Sequence, residues 1–325
     1  MNTIGLGNAL VDVLLKLISD DSLSDIGIKK GAMDMINKDQ MVAIRTSLAN
    51  LPRTQAPGGS VCNTMRAMSS LGANTGFIGK ICDDTIGRFY EEALAKAGVK
   101  PYFIKADGLT GSCTVMISPD GERTMGTFLG PAPTITPEEI TEEMLSQYQC
   151  IYIEGYLLVN EPLVRSTMEK AKKMGLKVAL DLSNFNIVNA FKGLLDDIIP
   201  KYVDILFSNE SEAEAYTGVK ASDAVRILSQ QVEVSLVTLG KEGALIGSHG
   251  QFFSVPAEGG KPVDTTGAGD NFAAGFLYGQ SVGASLLDSA RIGSMLSGYV
   301  IDVVGPQIPD DKWEQIKLKV KEILA

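Results

Sequence analysis

Short apolar runs alternate with amphipathic ones along most of this chain, and that alternation limits its possible folds more than any other feature. Residues 75–81, 150–154, 178–182, 205–208 and 235–239 are short, apolar and partly β-branched, which predicts strands. Residues 61–71, 86–97, 161–174, 187–199 and 223–231 carry apolar side chains at helical spacing and predict helices between them. Strands separated by helices are joined by crossovers and therefore run parallel. The expected architecture is an α/β fold whose largely parallel sheet is covered by helices on both faces. The C-terminal third adds helices over 268–282, 285–303 and 310–324.

Two stretches break the rhythm. Residues 12–36 and 101–130 carry strand-like segments with no helix between them. Within the second, 111–117 and 123–128 flank Ser118-Pro119-Asp120-Gly121, a hairpin signal. We expect 12–36 and 101–130 to form a small β-sheet lid inserted into a main α/β domain made of 1–11, 37–100 and 131–325.

Composition narrows the partners. A formal net charge of −10 speaks against nucleic acid or an anionic membrane. Such a surface is still compatible with a small pocket lined by N–H groups that takes a phosphorylated ligand. The four cysteines, Cys62, Cys82, Cys113 and Cys150, form no C-x-x-C pair and are expected to be buried free thiols in a reducing cytoplasm. The N-terminal Thr3-Ile4-Gly5-Leu6-Gly7 is strand-like and lacks a basic region, so no signal peptide is expected. No apolar run approaches the ~18 residues of a membrane span. His249, the single histidine, lies between two strand-like runs and is expected in an exposed turn. With its single histidine expected in an exposed turn, the chain is not expected to carry out Ser-His-Asp hydrolysis, Cys-His proteolysis or histidine-rich zinc chemistry.

The stretch Asp264-Thr265-Thr266-Gly267-Ala268-Gly269-Asp270 places a glycine turn where an apolar helical run begins. Free N–H groups and the positive end of a helix dipole make an anion site there. Asp270 adds a carboxylate, which suits a base taking a proton from a hydroxyl that attacks a phosphate. Two familiar nucleotide motifs fail. Gly79-Lys80, Gly240-Lys241 and Gly260-Lys261 lack the Walker pattern, and Gly5-Leu6-Gly7 lacks the third glycine of a dinucleotide fingerprint. Asn8 and Asp12 lie just beyond the first strand, where Asp12 either caps backbone or accepts sugar hydroxyls. Gly58 and Gly59 lead into a helix as a simple turn capped by Ser60, or bring backbone against a ligand that Asn63 also meets. Asn209 and Glu212 read as a helix cap or as holders of Mg²⁺-bound water, while Thr238 and Gly240 end a strand that a nucleotide could approach.

Taken together these motifs resemble those of the ribokinase-like (PfkB) carbohydrate kinases. Residues 58–98, with Gly72 to Gly79 and Asp84-Thr85-Ile86-Gly87, are similar to the first family signature, and 264–279 to the second. The resemblance covers nearly the whole chain. It implies a three-layer α/β/α sandwich and transfer of phosphate from ATP, with Mg²⁺, to a primary hydroxyl of a sugar or nucleoside. Asp270 matches the catalytic base, and Gly267, Ala268 and Gly269 match the backbone anion hole. Asn209 and Glu212 match the Mg²⁺–phosphate motif, with Glu212 acting through water, and Asn209, Thr238 and Gly240 match nucleotide contacts. Asn8, Asp12, Gly58, Gly59, Asn63 and Glu154 fall at substrate positions. Asp264 and Thr266 lie where many relatives hold a monovalent cation such as K⁺.

For the substrate, residues 7–12 and 121–130 are similar to adenosine-kinase-like members, in which apolar lid residues cover the base. Met33, Met35 and Phe128 are the candidates for that cover here. The implied order is a nucleoside or ribose-type sugar, then a fructose-type ketose, then a keto-sugar acid. Asp181-Leu182-Ser183-Asn184 departs from every subgroup pattern. A silent sugar-binding regulator is the rival reading, and the intact base and glycine turn weigh against it. Relatives with β-lids pair through them or stay monomeric, so a homodimer through the lid is one expectation.

Overall fold

The computed structural model describes residues 1–259 and 262–325; Gly260 and Lys261, one of the Gly-Lys pairs tested above, lie outside them. A nine-stranded sheet forms the centre. From one edge its strands are Gln251–Val255, Ala244–Ser248, Val234–Thr238, Ile205–Asn209, Lys177–Asp181, Cys150–Glu154, Thr3–Leu6, Thr75–Cys82 and Lys100–Ala106. All neighbours from Val234–Thr238 onward are parallel, while at the first edge Ala244–Ser248 pairs antiparallel with both Val234–Thr238 and Gln251–Val255. His249 sits in that hairpin's turn, at a positive φ of 47°.

Period-two alternation sends successive strand residues to opposite faces. Ile151 and Ile153 face one core with Val178 and Leu180, while Tyr152 and Ala179 face the other. The first core is closed by the helices Glu161–Lys173, Lys192–Tyr202, Glu210–Thr217 and Ala221–Leu228. The second is closed by Ser60–Ser70, Thr85–Lys96, Ala268–Ser281, Leu286–Ile301 and Trp313–Leu324. The three-layer α/β/α arrangement is the one expected. All four cysteines are buried free thiols. No helix among the described residues is long and apolar enough to cross a membrane.

A five-stranded second sheet runs in the order Met33–Met35, Arg123–Phe128, Gly111–Ile117, Leu10–Lys16, Arg53–Gly58. The hairpin of Gly111–Ile117 and Arg123–Phe128 is as expected, with Gly121 N–H donating to the Ser118 carbonyl at 2.8 Å. Its core packs Leu15, Leu17 and Met116 against Leu23, Met41 and Ile44.

Sheet membership differs from the expectation at three places. Lys100–Ala106 belongs to the large sheet, because the helix before it is a crossover that returns the chain parallel to Thr75–Cys82. Arg53–Gly58 joins the small sheet as an edge strand, where Pro57 removes no interior hydrogen bond. A short helix, Asp21–Ile26, interrupts the 12–36 stretch. The helix expected over 187–199 is two helices, Phe185–Ala190 and Lys192–Tyr202. Phe191 leaves helical backbone between them (φ −116°, ψ 21°) and packs against the first core.

The loop between Val234–Thr238 and Ala244–Ser248 turns on Gly243, at φ 95°, where a Cβ would lie 1.9 Å from the Val255 carbonyl oxygen. Gly193 lies in a helix with nothing within 4 Å of such an atom. Gly243→Ala is expected to lower unfolding free energy by about 2 kcal/mol or more, and Gly193→Ala to raise it by about 0.5 kcal/mol. Denaturant titration of the two variants checks the contrast.

Candidate active site

The Ala268–Ser281 helix starts where Gly267 adopts a φ of 78°. A side chain there would place its Cβ 2.6 Å from Pro306, so the turn requires glycine. Phe272, Ala273, Ala274 and Phe276 are buried and hold the helix in the core. The Ala268 N–H is taken by the Thr265 carbonyl at 3.2 Å. Those of Gly267, Gly269 and Asp270 meet no acceptor among the described residues, and the space over the Gly269 Cα is open. An anion can therefore approach these donors at the positive end of the dipole.

Asp270 lies on the first turn of this helix and meets the Ser60–Ser70 helix. Ser60 Oγ donates to its Oδ1 at 2.6 Å, and Asn63 Nδ2 donates to its Oδ2 at 2.8 Å. Thr64 Oγ1 donates to its carbonyl at 3.1 Å. Burial pushes the Asp270 carboxyl above the usual range, while the Ser60 and Asn63 donors oppose the shift. Gly59, not Ser60, is the N-cap, and Ser60 is the first helical residue with its hydroxyl on Asp270. Ser60 is thus a site residue that the capping interpretation missed; its i, i+3 spacing from Asn63 was the available signal.

Two cavities meet at this point. One, of 310 Å³, is bordered by Asp12, Gly59, Asn63, Asp181, Glu212 and Asp270. The other, also 310 Å³, is bordered by Gly240, Lys241, Gly259, Thr265, Ala268 and Ser297. Thr238, Gly269 and Phe272 line both. The glycine turn therefore forms the threshold between two compartments.

Of the remaining predicted positions, Asn8 and Glu154 face each other. Glu154 Oε1 accepts from the Asn8 N–H at 2.9 Å and from Asn8 Nδ2 at 2.6 Å, while Oε2 accepts from the Val61 N–H at 3.3 Å. Both are buried and neither borders the cavities. Gly58 packs under Asp12, and its carbonyl accepts from Tyr90 Oη at 3.0 Å. Met33 and Met35 are exposed on the outer strand of the small sheet, and Phe128 packs into that sheet's own core. None of the three borders the acceptor-side cavity around Asp12.

Asn209 and Glu212 form a complete capping box. Glu212 accepts from Asn209 N–H at 2.8 Å and from Nδ2 at 2.7 Å, and its own N–H donates to Asn209 Oδ1 at 2.9 Å. Both residues also border the Asp12 cavity. No group of three or more metal-ligating side chains exists among the described residues. A Mg²⁺ ion here would be held through water and phosphate oxygens, as its chemistry prefers.

The charge balance of the cavity fits such a guest. Burial, then the neighbouring Asp270, pushes Asp12 up to about 7 against the pull of Arg123. Burial raises Asp181 to about 6, opposed by the Ser183 N–H and reinforced by Asp270. Burial and Asp181 raise Glu212 to about 8. Asp181, also held by Tyr152 Oη at 2.9 Å, is a site carboxylate that sequence reading left unassigned. Four crowded carboxyls favour a ligand that arrives with its own cation.

Asp264 and Thr266 meet a cation of the protein itself. Arg123, from the small-sheet hairpin, places Nη2 2.7 Å from Asp264 Oδ2 and donates from Nη1 to Thr266 Oγ1 at 3.1 Å. The same Oδ2 accepts from the Gly305 N–H at 2.6 Å, and Oδ1 accepts from Thr266 N–H and O–H at 3.1 and 2.8 Å. With donors on both oxygens and a guanidinium in contact, this carboxylate does not fit K⁺ in the present arrangement.

Asp12, Asp181 and Glu212 bind protons more tightly folded than unfolded. Their contribution to stability is full below about pH 4 and is lost as pH rises through the folded values of about 6 to 8. Asp181→Asn keeps Oδ1 as acceptor for the Ser183 N–H, lets its Nδ2 donate to the Tyr152 hydroxyl oxygen, and removes one such carboxyl. Calorimetry of the ligand-free protein should show its Tm raised by roughly 2–4 °C at pH 8.5, with the gain vanishing near pH 4.

A family model described as pfkB family carbohydrate kinase matches residues 30–313. The chain is 29% identical to an adenosine kinase of Saccharomyces cerevisiae over 94% of its length and 96% of the relative's. It is 28% identical to a ribokinase of Staphylococcus aureus over 77% of its length and 83% of the relative's. The structure of adenosine kinase from Sinorhizobium meliloti matches 99% of this chain, and 98% of its own, at a TM-score of 0.86 and 29% identity. With the family model spanning most of its length, this chain belongs to the pfkB family of carbohydrate kinases and is a sugar or nucleoside kinase, a phosphotransferase acting on a hydroxyl.

Proposed function

We propose that the protein phosphorylates a primary hydroxyl of an adenosine- or ribose-type substrate, with Asp270 as general base. The observation that carries this reading is the position of Asp270 at the meeting of two cavities, beside N–H groups with no acceptor. The acceptor hydroxyl occupies the Asp12 cavity, where Asp12 and Asn63 orient it toward Asp270. The phosphates of the nucleotide lie along Thr238, Gly240 and the Gly267–Gly269 turn.

Phosphoryl transfer asks a protein mainly for positioning and charge stabilisation. Asp270 accepts the hydroxyl proton as the O–P bond forms, and Ser60 and Asn63 hold its carboxylate in line. The free N–H groups of Gly267, Gly269 and Asp270 take up charge on the transferring oxygens. Glu212 would hold Mg²⁺ through water, and the ion, bound with ATP, would neutralise phosphate charge. Arg123 ties the small sheet to the glycine turn, so closure of that sheet over the hydroxyl excludes competing water. A nucleoside acceptor is favoured because the adenosine kinase relative aligns over 94% of this chain and the ribokinase over 77%.

Asp270→Asn should lower turnover by ~10²–10⁴-fold while ATP still binds, as read by initial rates and calorimetric titration. Near-wild-type turnover removes Asp270 from the base role. In an ATP-consumption assay across adenosine, ribose, fructose and a keto-sugar acid, adenosine or ribose should give the highest kcat/KM. Failure of both, with turnover of either other sugar, overturns the substrate assignment.

A further inference from the structure

A third cavity, of 490 Å³, opens behind the Ser60–Ser70 helix, between that helix, Thr85–Lys96 and the start of Trp313–Leu324. It is larger than either compartment of the kinase site and lies within the usual range for small-molecule pockets. Its walls include Arg66, Phe89 and Trp313. Asn63 borders both this cavity and the one that holds Asp270.

Arg66 is the unusual wall residue. Its Nε and Nη1 are shut off from solvent and meet no acceptor among the described residues. An arginine keeps its charge at any physiological pH, so it does not escape burial by losing a proton. Of the groups near it, Cys62 and Tyr90 supply no counter-charge. Burial pushes the Cys62 thiol up to about 12 and raises the Tyr90 hydroxyl well above its ordinary value, so both are neutral. Glu92, Lys96 and Asp310 also border the cavity, but all three are exposed and solvated. Among the described residues, Arg66 is the one charge lining this space with nitrogens shut off from solvent and unpaired. A second buried polar atom without a partner, Asn63 Oδ1, lies on the residue whose Nδ2 holds Asp270.

We propose that this cavity is a second ligand site, taking a small organic oxyanion whose carboxylate or phosphomonoester group pairs with Arg66 and whose apolar or aromatic body lies between Phe89 and Trp313. A planar guanidinium matches either group through paired N–H donors. Aromatic walls suit a flat body and give the site more selectivity than charge alone. Asn63 then links occupation of the site to Asp270 in the kinase centre. The assignment of binding stands apart from the kinase reading, since it concerns occupancy and not turnover.

Trp313 is the only tryptophan in the chain and is buried against the cavity, so its emission reports on this site and not on the glycine turn. Phenyl phosphate, benzoate and inorganic phosphate are titrated into the full-length protein held with saturating ATP. A saturable change in Trp313 emission with phenyl phosphate or benzoate is expected, weakened at least tenfold in Arg66→Met and by an intermediate factor in Arg66→Lys, which keeps the charge but not the paired donors. The two organic probes distinguish a phosphomonoester ligand from a carboxylate. No response to either, or an equal response in a folded Arg66→Met, overturns the site. Equal affinity for inorganic phosphate overturns the role of the aromatic walls. Turnover altered by the bound probe in the wild type but not in Arg66→Met supports the link through Asn63, and unaltered turnover removes that link.

Discussion

The packing of the Ala268–Ser281 helix against the Ser60–Ser70 helix is the contact on which the kinase centre depends. Both helices lie on the same face of the large sheet and share a core through Val61, Met65, Phe272 and Phe276. Burying those apolar groups, worth roughly 1.5–3 kcal/mol each, fixes the distance between the two N-terminal turns. Only then does Asp270 receive hydrogen bonds from Ser60 and Asn63, residues more than 200 positions earlier in the chain. The proposed base is therefore oriented by core packing and not by its own loop. A carboxylate so placed cannot swing away from a substrate hydroxyl without losing two short hydrogen bonds.

The second constraint is charge. Asp12, Asp181, Glu212 and Asp270 surround one cavity; burial lifts the proton affinity of all four, and repulsion from a neighbouring carboxylate adds to it at Asp12, Asp181 and Glu212. Ordinary stability would favour replacing some of them with apolar groups. Their presence makes sense when the guest brings a cation together with phosphate oxygens, as magnesium nucleotide does. Arg123 offsets part of this charge from the small sheet, and in doing so joins the hairpin to the glycine turn. Small-sheet position and the electrostatics of the proposed phosphate site are thus coupled through one side chain.

Much of the architecture was legible in the sequence because strand and helix periodicities are local. The parallel strands sit within a residue or two of their expected bounds, and the Pro-Asp-Gly hairpin forms as its turn chemistry dictates. Arg53–Gly58 was not legible: it is polar, carries Pro57 and has no alternating pattern, and it becomes a strand only because Leu10–Lys16 offers it an edge. The break at Phe191 escaped detection because apolar spacing continues across it. The capping interpretation of Ser60 was sound local chemistry, overridden when Gly59 took the cap and left the hydroxyl for Asp270.

By itself the sequence determined the layered α/β fold, the glycine turn with Asp270 behind it, and the family to which these motifs are similar. Those features depend on residue type and spacing within a few tens of residues. Tertiary structure alone decided that Ser60 and Asn63 hold Asp270, that Arg123 occupies Asp264 and Thr266, and that Asn8 and Glu154 brace one another away from the cavities. It also decided that Arg66 Nε and Nη1, beside a third cavity, meet no partner among the described residues. Each of these is a meeting of groups far apart in the chain or a partner denied by packing, and no local pattern encodes either.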